Sequence, residues 1–268
     1  MSRPVHLILD WDGTLTVKDT LSILEGLPKA RDRRLGIAHV PSHSWNDDFL
    51  KPYMDDYASH KRSSPLFPKA SNEGKYSQWL ASLHTVEYDS AKRVSDSGLF
   101  HGINTADVAT VAQEALDAGE MQLRKGWLDL FAMFLPAATA PAGSRLSILS
   151  VNWSAGFIRS SLRHAAGRSL QEDDARRQEL IDYVDGMHIN ANEIDGLEDA
   201  ERGSSGVLVG YIRTAADKLQ QKPRIINLSQ GMFLHSHQHS LKPSPLLLHL
   251  HKVTCVKLLI CPPHRPLS

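Results

Sequence analysis

Cysteine is nearly absent. Cys255 and Cys261 are the only two in 268 residues, too few for the disulfide framework that small secreted domains rely on. Long apolar runs are missing too. No uninterrupted apolar stretch approaches the ~18 residues that mark a membrane span. The first apolar run, Val5 to Leu9, ends at Asp10 and is too short for the core of a signal peptide. Nor is there an excess of either charge, since thirty Lys and Arg offset thirty Asp and Glu. That balance excludes a globally basic nucleic-acid binder and an acidic tail protein. With 41% hydrophobic and 22% charged residues, a buried core is expected rather than disorder. The expectation is a soluble cytoplasmic protein without a membrane partner.

A second absence is local. Asp217 is the last acidic residue, and the 51 residues from Lys218 to Ser268 contain no Asp or Glu. That stretch holds seven of the thirty basic residues, six of the fourteen histidines and both cysteines. Residues 1–217 therefore carry seven more acidic than basic groups, and the neutral total is an average over two unlike pieces. Within the tail, His235, His237 and His239 alternate, and His249 and His251 repeat the spacing. On a strand that pattern can present imidazoles to zinc or nickel. Compositional enrichment in an unstructured end is the simpler explanation. The basic residues lack interleaved aromatics, Phe233 being alone, which argues against nucleic-acid binding.

What is present alternates between strand and helix patterns. Val5 to Leu9 reads as a buried strand with His6 as its exception, and Gly13 allows the turn that follows. Ser59 to Gly74 reads as an exposed loop. Thr105 to Ala118 reads as a helix capped by Thr105 and ended by Gly119, and Trp127 to Ala138 as a second apolar helix. Leu146 to Val151 reads as another buried strand. Ser154 then caps a helix to about Ala166, and Glu172 to Tyr183 forms a charged helix. Met187 to Ile189 and Val207 to Ile212 read as short strands, and Thr214 to Gln221 begins like a helix. Such alternation argues for an α/β fold with a parallel sheet.

The chemistry concentrates in Asp10-Trp-Asp12-Gly13-Thr14-Leu15-Thr16. Two carboxylates sit two residues apart where a buried strand opens into a turn, and open α/β sheets bind ligands at the carboxyl ends of their strands. One carboxylate there can attack phosphorus, and a second can move the proton of the leaving group. Magnesium suits such oxygen donors. A short D-x-D can equally be a solvated Asx-type turn.

The longer string resembles the first motif of the haloacid dehalogenase-like hydrolase superfamily, D-x-D-G-T-[LV]-[TV], at every specified position. The resemblance implies that Asp10 is the nucleophile. It implies that Asp12 is the acid/base and offers its backbone carbonyl to Mg2+, with Asp10 and Asp12 as metal ligands. Ser150 matches the second motif, a Ser or Thr ending the next core strand, and would bind the phosphoryl group. Asn152 could add a donor. The helix behind Ser154 would aim free N–H groups at the same anion. Lys218 fits the third motif, a lysine at a helix start that offsets charge between aspartate and phosphate. Asn190 to Glu193, Gly206 to Gly210 and Thr214 to Lys218 follow the order of the phosphoserine-phosphatase-like branch. The fourth motif, one or two further aspartates that complete the magnesium site, has no counterpart, because no carboxylate follows Lys218. Candidate strands exist there, Arg224 to Leu228 and Val253 to Ile260, but neither ends in one. The coincidence of that stop with the change in composition is the mark expected of a tail read from a different frame or a retained intron.

Ser150 follows Asp10 by 140 residues, far more than a simple connection needs. The expected architecture is therefore a doubly wound, Rossmann-like parallel-sheet core from residues 1–18 and 122–221. A mostly helical cap of residues 19–121 is inserted into it, and an atypical basic tail of residues 222–268 follows. Trp45, Tyr53, Tyr57 and Trp79 read as the core of that cap rather than its lining. The expected function is a magnesium-dependent phosphatase acting on a small phosphorylated metabolite through an aspartyl phosphate. The alternative is an inactive relative that binds a phosphometabolite or a protein partner.

Overall fold

The computed structural model describes residues 4–65, 73–135, 140–141, 143–169, 174–223 and 225. Its central feature is a parallel sheet of β1 (His6–Leu9), β2 (Arg145–Leu149) and β3 (His188–Asn190) in the order β1-β2-β3. His6 lies opposite Arg145 and Leu9 opposite Ile148, while Leu149 lies opposite Asn190. Side chains alternate between the faces of a strand, and the strand residues build apolar packing on both faces. Leu9, Leu146 and Ile148 join the main core, and Ile8 and Leu149 form a smaller one with Ile212 and Ile225. The fold is thus α/β with a parallel sheet, as the strand and helix patterns imply. His6, the polar exception in β1, is buried and hydrogen-bonds across the sheet to the Ser147 hydroxyl at 2.8 Å.

The chain leaves this sheet and comes back beside its own exit. The Val17 amide donates to Gln122 O at 2.9 Å, the Arg124 amide donates to Leu15 O at 2.9 Å, and Thr16 bridges to Leu123. Between those points lie α1 (Leu27–Leu35), α2 (Lys51–Ser63), α3 (Glu73–Ser82), α4 (His84–Ser97) and α5 (Thr105–Asp117), with no regular strand among the described residues. α5 packs along α7 (Ala155–Ser169) and against α1. Leu24, Leu27, Val108, Val111 and Ala112 consequently share one apolar cluster with Phe157, Ile158 and the sheet. Trp45 and Trp79 are buried, Trp45 against Trp153 and Trp79 against Tyr57 and Tyr76. α6 (Trp127–Ala132) leads into β2, and α8 (Asp174–Gly186) packs on α7 before β3.

Several boundaries differ from the sequence reading. The supposed loop from Ser59 begins inside α2, which runs to Ser63. Asn104, not Thr105, caps α5. Its carboxamide oxygen accepts from the Ala106 and Asp107 amides, and Asp107 reaches back to the Asn104 amide in a complete capping box. α6 stops at Ala132, six residues short of the expected end, and residues 136–139 lie outside the described set. Val207 to Ile212 does not join the parallel sheet. Only Leu208–Val209 (β5) is extended, paired antiparallel with Glu193–Ile194 (β4). The reason is Gly210, whose φ of 113° turns the chain out of the strand. Ile225, within the proposed Arg224 to Leu228 strand, is helical and buried. Arg224 and residues 226–268 lie outside the described residues, and with them Val253 to Ile260, the tail histidines and the cysteines. No helix among the described residues is long and apolar enough to cross a membrane.

Candidate active site

β1 ends at Leu9 and delivers Asp10 to the carboxyl edge of the sheet. Asp10 is extended (φ −76°, ψ 157°), and one of its oxygens accepts from the Trp11 amide at 2.9 Å. The turn over Trp11–Leu15 is not a regular helix. Asp12 has ψ 127° and Gly13 has φ 68°, a left-handed value that favours glycine. Buried Thr16 closes the turn, its amide on Trp11 O at 3.1 Å and its hydroxyl on Lys18 O at 2.7 Å. Arg124 ties the far side through Gly13 O at 2.7 Å. The Trp11 ring is fully buried and donates from Nε1 to Thr20 Oγ1 at 3.0 Å, which anchors the loop to the start of the inserted helices.

Thr20 then holds Asp12. Its amide and hydroxyl donate to Asp12 Oδ1 at 2.9 and 2.7 Å, and Asn152 Nδ2 donates to Asp12 Oδ2 at 3.2 Å. Burial, with the nearby Asp19 charge adding to it, pushes the Asp12 carboxyl up to about 6 despite the Thr20 and Asn152 hydrogen bonds, which favour the ionised form. An acid tuned there can give and take a proton near neutral pH.

Ser150 follows β2 directly and is fully buried. Its amide donates to Asn190 O at 2.9 Å, and its hydroxyl accepts from the Asn152 amide at 3.1 Å. Because β1 and β2 are neighbours in parallel register, Ser150 ends its strand on the same edge as Asp10. The Asn152 side-chain amide donates to Asp12 Oδ2 and to Thr20 Oγ1, each at 3.2 Å.

The start of α7 departs from expectation. Its first amides are not free for an anion. Ala155 donates to Asn192 O at 2.9 Å, Gly156 to Glu193 Oε2 at 2.7 Å, and Phe157 to the Ser154 hydroxyl at 3.0 Å. Ser154 caps the helix as expected, and its hydroxyl donates to Glu193 Oε1 at 2.6 Å. A carboxylate at a helix N-terminus satisfies both the open N–H groups and the dipole, so Glu193 occupies the place the sequence reading reserved for phosphate. Burial raises the Glu193 carboxyl against those hydrogen bonds. A cavity of about 210 Å³ opens on that side, lined by Thr105, Gly156, Ser160 and Glu193, and neither Asp10 nor Asp12 lines it.

Lys218 reaches Asp10 from 208 residues away. Its Nζ lies 2.5 Å from Asp10 Oδ2, and both side chains are largely buried, at 8% and 13% exposure. The lysine sits near the start of a helical stretch, residues 215–223. Asp217 caps that stretch by accepting from the Arg213 and Thr214 amides at 2.9 and 2.7 Å, while the Thr214 hydroxyl accepts from the Asp217 amide at 3.2 Å. Asn192 clamps the approach. Fully buried, it donates to Val151 O, Asn152 O and Ile212 O and accepts from the Ile212 amide. A Cβ at residue 210 would sit 2.7 Å from Asn192 Oδ1, so Gly210 is required by close approach as well as by φ.

The structure therefore pairs Asp10 with Lys218 and, two residues on, holds Asp12 by Thr20 and Asn152, with the Ser150 hydroxyl bonded to the Asn152 amide. Thr20 and Glu193 were missed by sequence reasoning. Thr20 lies eight residues from Asp12, and Glu193 lies 39 residues from Ser154. The T-x-x-D pattern at Thr214 and Asp217 was a readable cap signal. For a metal, Asp10 and Asp12 are the candidate residues. Among the described residues no group of three or more His, Cys, Asp or Glu gathers to hold an ion. Magnesium is commonly bound by one or two carboxylates, with water and substrate phosphate filling its other positions, and the Asp10 carboxylate with the Asp12 backbone carbonyl fits that open mode, the Asp12 carboxylate oxygens being taken by Thr20 and Asn152.

No family model matches the chain, and no curated protein matches it. Among solved structures it is similar to a HAD family hydrolase from Salmonella enterica subsp. enterica serovar Typhi, with 12% sequence identity and a TM-score of 0.35. The match covers 86% of this chain and 53% of that one, so the chain spans about half the length of that protein.

Proposed function

We propose that the chain is a phosphoric monoester hydrolase of the haloacid dehalogenase-like type, acting on a small phosphorylated metabolite. The observation that carries this reading is the Asp10–Lys218 contact beside the separately held Asp12 carboxyl. A generic Asx turn does not need a buried lysine drawn from the other end of the chain. An Asp10 oxygen attacks phosphorus and forms an aspartyl phosphate while the ester P–O bond breaks. Protonated Asp12 gives its proton to the departing oxygen. Asp12, now ionised, takes a proton from water, whose oxygen attacks phosphorus and releases inorganic phosphate and free Asp10. Lys218 offsets the negative charge shared by Asp10 and the phosphoryl oxygens. Ser150 binds the phosphoryl group. Asn152 serves first to orient Asp12. Mg2+, held by Asp10 and Asp12, would add charge neutralisation at the phosphoryl oxygens. The branch assignment to phosphoserine-phosphatase-like enzymes rests on the order Asn192, Gly210, Lys218, in which Gly210 packs against Asn192 and Lys218 meets Asp10.

The test is hydrolysis of a generic aryl phosphate with Mg2+, by the chain and by Asp10→Asn. Loss of at least about a thousandfold in kcat is expected, as for removal of a covalent nucleophile. Equal rates in the two proteins would discard the assignment. The second reading, an inactive phosphometabolite binder, is favoured by the lack, among the described residues, of any group of three or more His, Cys, Asp or Glu placed to hold a metal ion. It predicts phosphate binding by both proteins with turnover by neither.

A further inference from the structure

Thr20 precedes the helical turn Leu21–Gly26, a place where a threonine side chain ordinarily caps. Here it makes no capping bond. The hydroxyl turns instead into a network with Trp11, Asn152 and Asp12, and Thr20, Trp11 and Asn152 are all buried. Elementary donor and acceptor counting fixes the direction of each bond. The Trp11 indole can only donate, and it reaches Thr20 Oγ1 at 3.0 Å. Asn152 Oδ1 accepts from the Ser154 amide at 3.2 Å, which turns the Asn152 Nδ2 protons the other way. One goes to Thr20 Oγ1 and one to Asp12 Oδ2, each at 3.2 Å. Both lone pairs of the Thr20 hydroxyl are then in use, and its single proton is left for Asp12 Oδ1 at 2.7 Å. The Thr20 amide donates to the same oxygen at 2.9 Å. Asp12 Oδ1 thus has both its lone pairs occupied, whereas Oδ2 accepts the longer bond from Asn152.

We propose that Thr20 is the positioning residue for the proton-transfer step, and that it makes Asp12 Oδ2 the oxygen that carries the transferred proton. A proton on Oδ1 would displace one of the two Thr20 bonds and leave a buried donor unpaired, which is costly. In the first step an Asp10 oxygen bonds to phosphorus as the ester P–O bond breaks. The electron pair of that bond stays on the departing oxygen, which receives the proton from Oδ2. Without the Thr20 hydroxyl, Oδ1 keeps one backbone donor and an open lone pair, so the proton is no longer confined to the delivering side. Orientation of this kind is a large part of what a site supplies to proton transfer. The proposal rests on the phosphatase reading and deepens it by naming what aims the acid. Thr20 also lies at the start of the inserted segment, so the insert touches the chemistry through this side chain.

The test is kcat/KM with Mg2+ over a series of aryl phosphates, from dinitrophenyl to phenyl phosphate, for the full chain, Thr20→Val and Thr20→Ser. This ratio covers the steps through formation of the aspartyl phosphate and leaves out the later attack of water. Dinitrophenolate departs without a proton, whereas phenolate needs one. Thr20→Val is expected to stay within about threefold of the unaltered chain on the dinitrophenyl ester and to lose at least about a hundredfold on the phenyl ester, the scale of general acid catalysis. Thr20→Ser, which keeps the hydroxyl, should follow the unaltered chain. A loss uniform across the series, no loss, or a Thr20→Ser that behaves like Thr20→Val would overturn the positioning role and leave the phosphatase reading standing. Thr20→Ala takes the place of Thr20→Val if the latter does not fold. Failure of both to fold, read by circular dichroism, would assign the hydroxyl to folding and overturn the proposal. Hydrolysis of none of the esters by the unaltered chain would overturn the phosphatase reading and this proposal together.

Discussion

Asp10 and Asp12 are two residues apart, yet their surroundings give them different tasks. Asp10 meets a cation, whereas Asp12 meets neutral donors and a neighbouring carboxylate. The D-x-D spacing was visible in the sequence, but this division was not, because Lys218, Thr20 and Asn152 come from three other segments. His6 is a second case. The sequence showed a histidine in an apolar strand. The structure pairs it with Ser147, and burial, with Arg145 and His188 adding, lowers its pKa below 6.5. The folded state then holds the neutral ring, and the unfolded state binds the proton more readily. His6 thus contributes stability that is fully present above about 6.5 and is lost as pH falls below it. Thermal unfolding from pH 7.5 to about 5 should show a smaller acid-side drop in His6→Gln than in the unaltered chain. Parallel curves would show that His6 does not carry this part of the pH dependence.

At the scale of elements, caps decide where helices begin. Ser154, Asn104 and the Thr214–Asp217 pair each close an N-terminus, and the last of these opens the helical stretch that carries Lys218. The Ser154 cap was read correctly from sequence. Asn104 was passed over because the next residue, Thr105, is also a capping type, and only the backbone angles distinguish the two. Asn104→Ala should cost about 1 kcal/mol, read as a lower denaturant midpoint at unchanged m-value. No change would mean that α5 is held by packing alone. Glu193 illustrates the limit of cap reading. Its hold on α7 depends on β3 lying beside β2, a fact of tertiary structure.

Across the whole molecule, one apolar cluster runs from the sheet through α7 to the first and last of the inserted helices. The insert and the sheet are therefore energetically coupled. Phe157 is fully buried in that cluster, and Phe157→Ala should cost about 3–5 kcal/mol. Circular dichroism and tryptophan fluorescence should report one shared transition shifted to lower denaturant, since Trp11 and Trp45 sit in the same cluster. Two separated transitions would indicate that the insert unfolds independently. Charge at this scale is divided unevenly, because the acidic excess lies within residues 1–217 and the lysine that meets Asp10 comes just after it.

Several features were determined by the sequence alone. They include the two buried strands, the glycine turn after Asp10 and the Ser154 cap of α7. Those features depend on neighbours within a few residues, where periodicity, caps and turn chemistry act. Tertiary structure decided the rest. It placed Lys218 on Asp10, gave Asn152 to Asp12 and filled the α7 N-terminus with Glu193. Each of these joins groups distant in sequence. Their energies come from desolvation and contact, which exist only once the sheet has fixed which segments are neighbours.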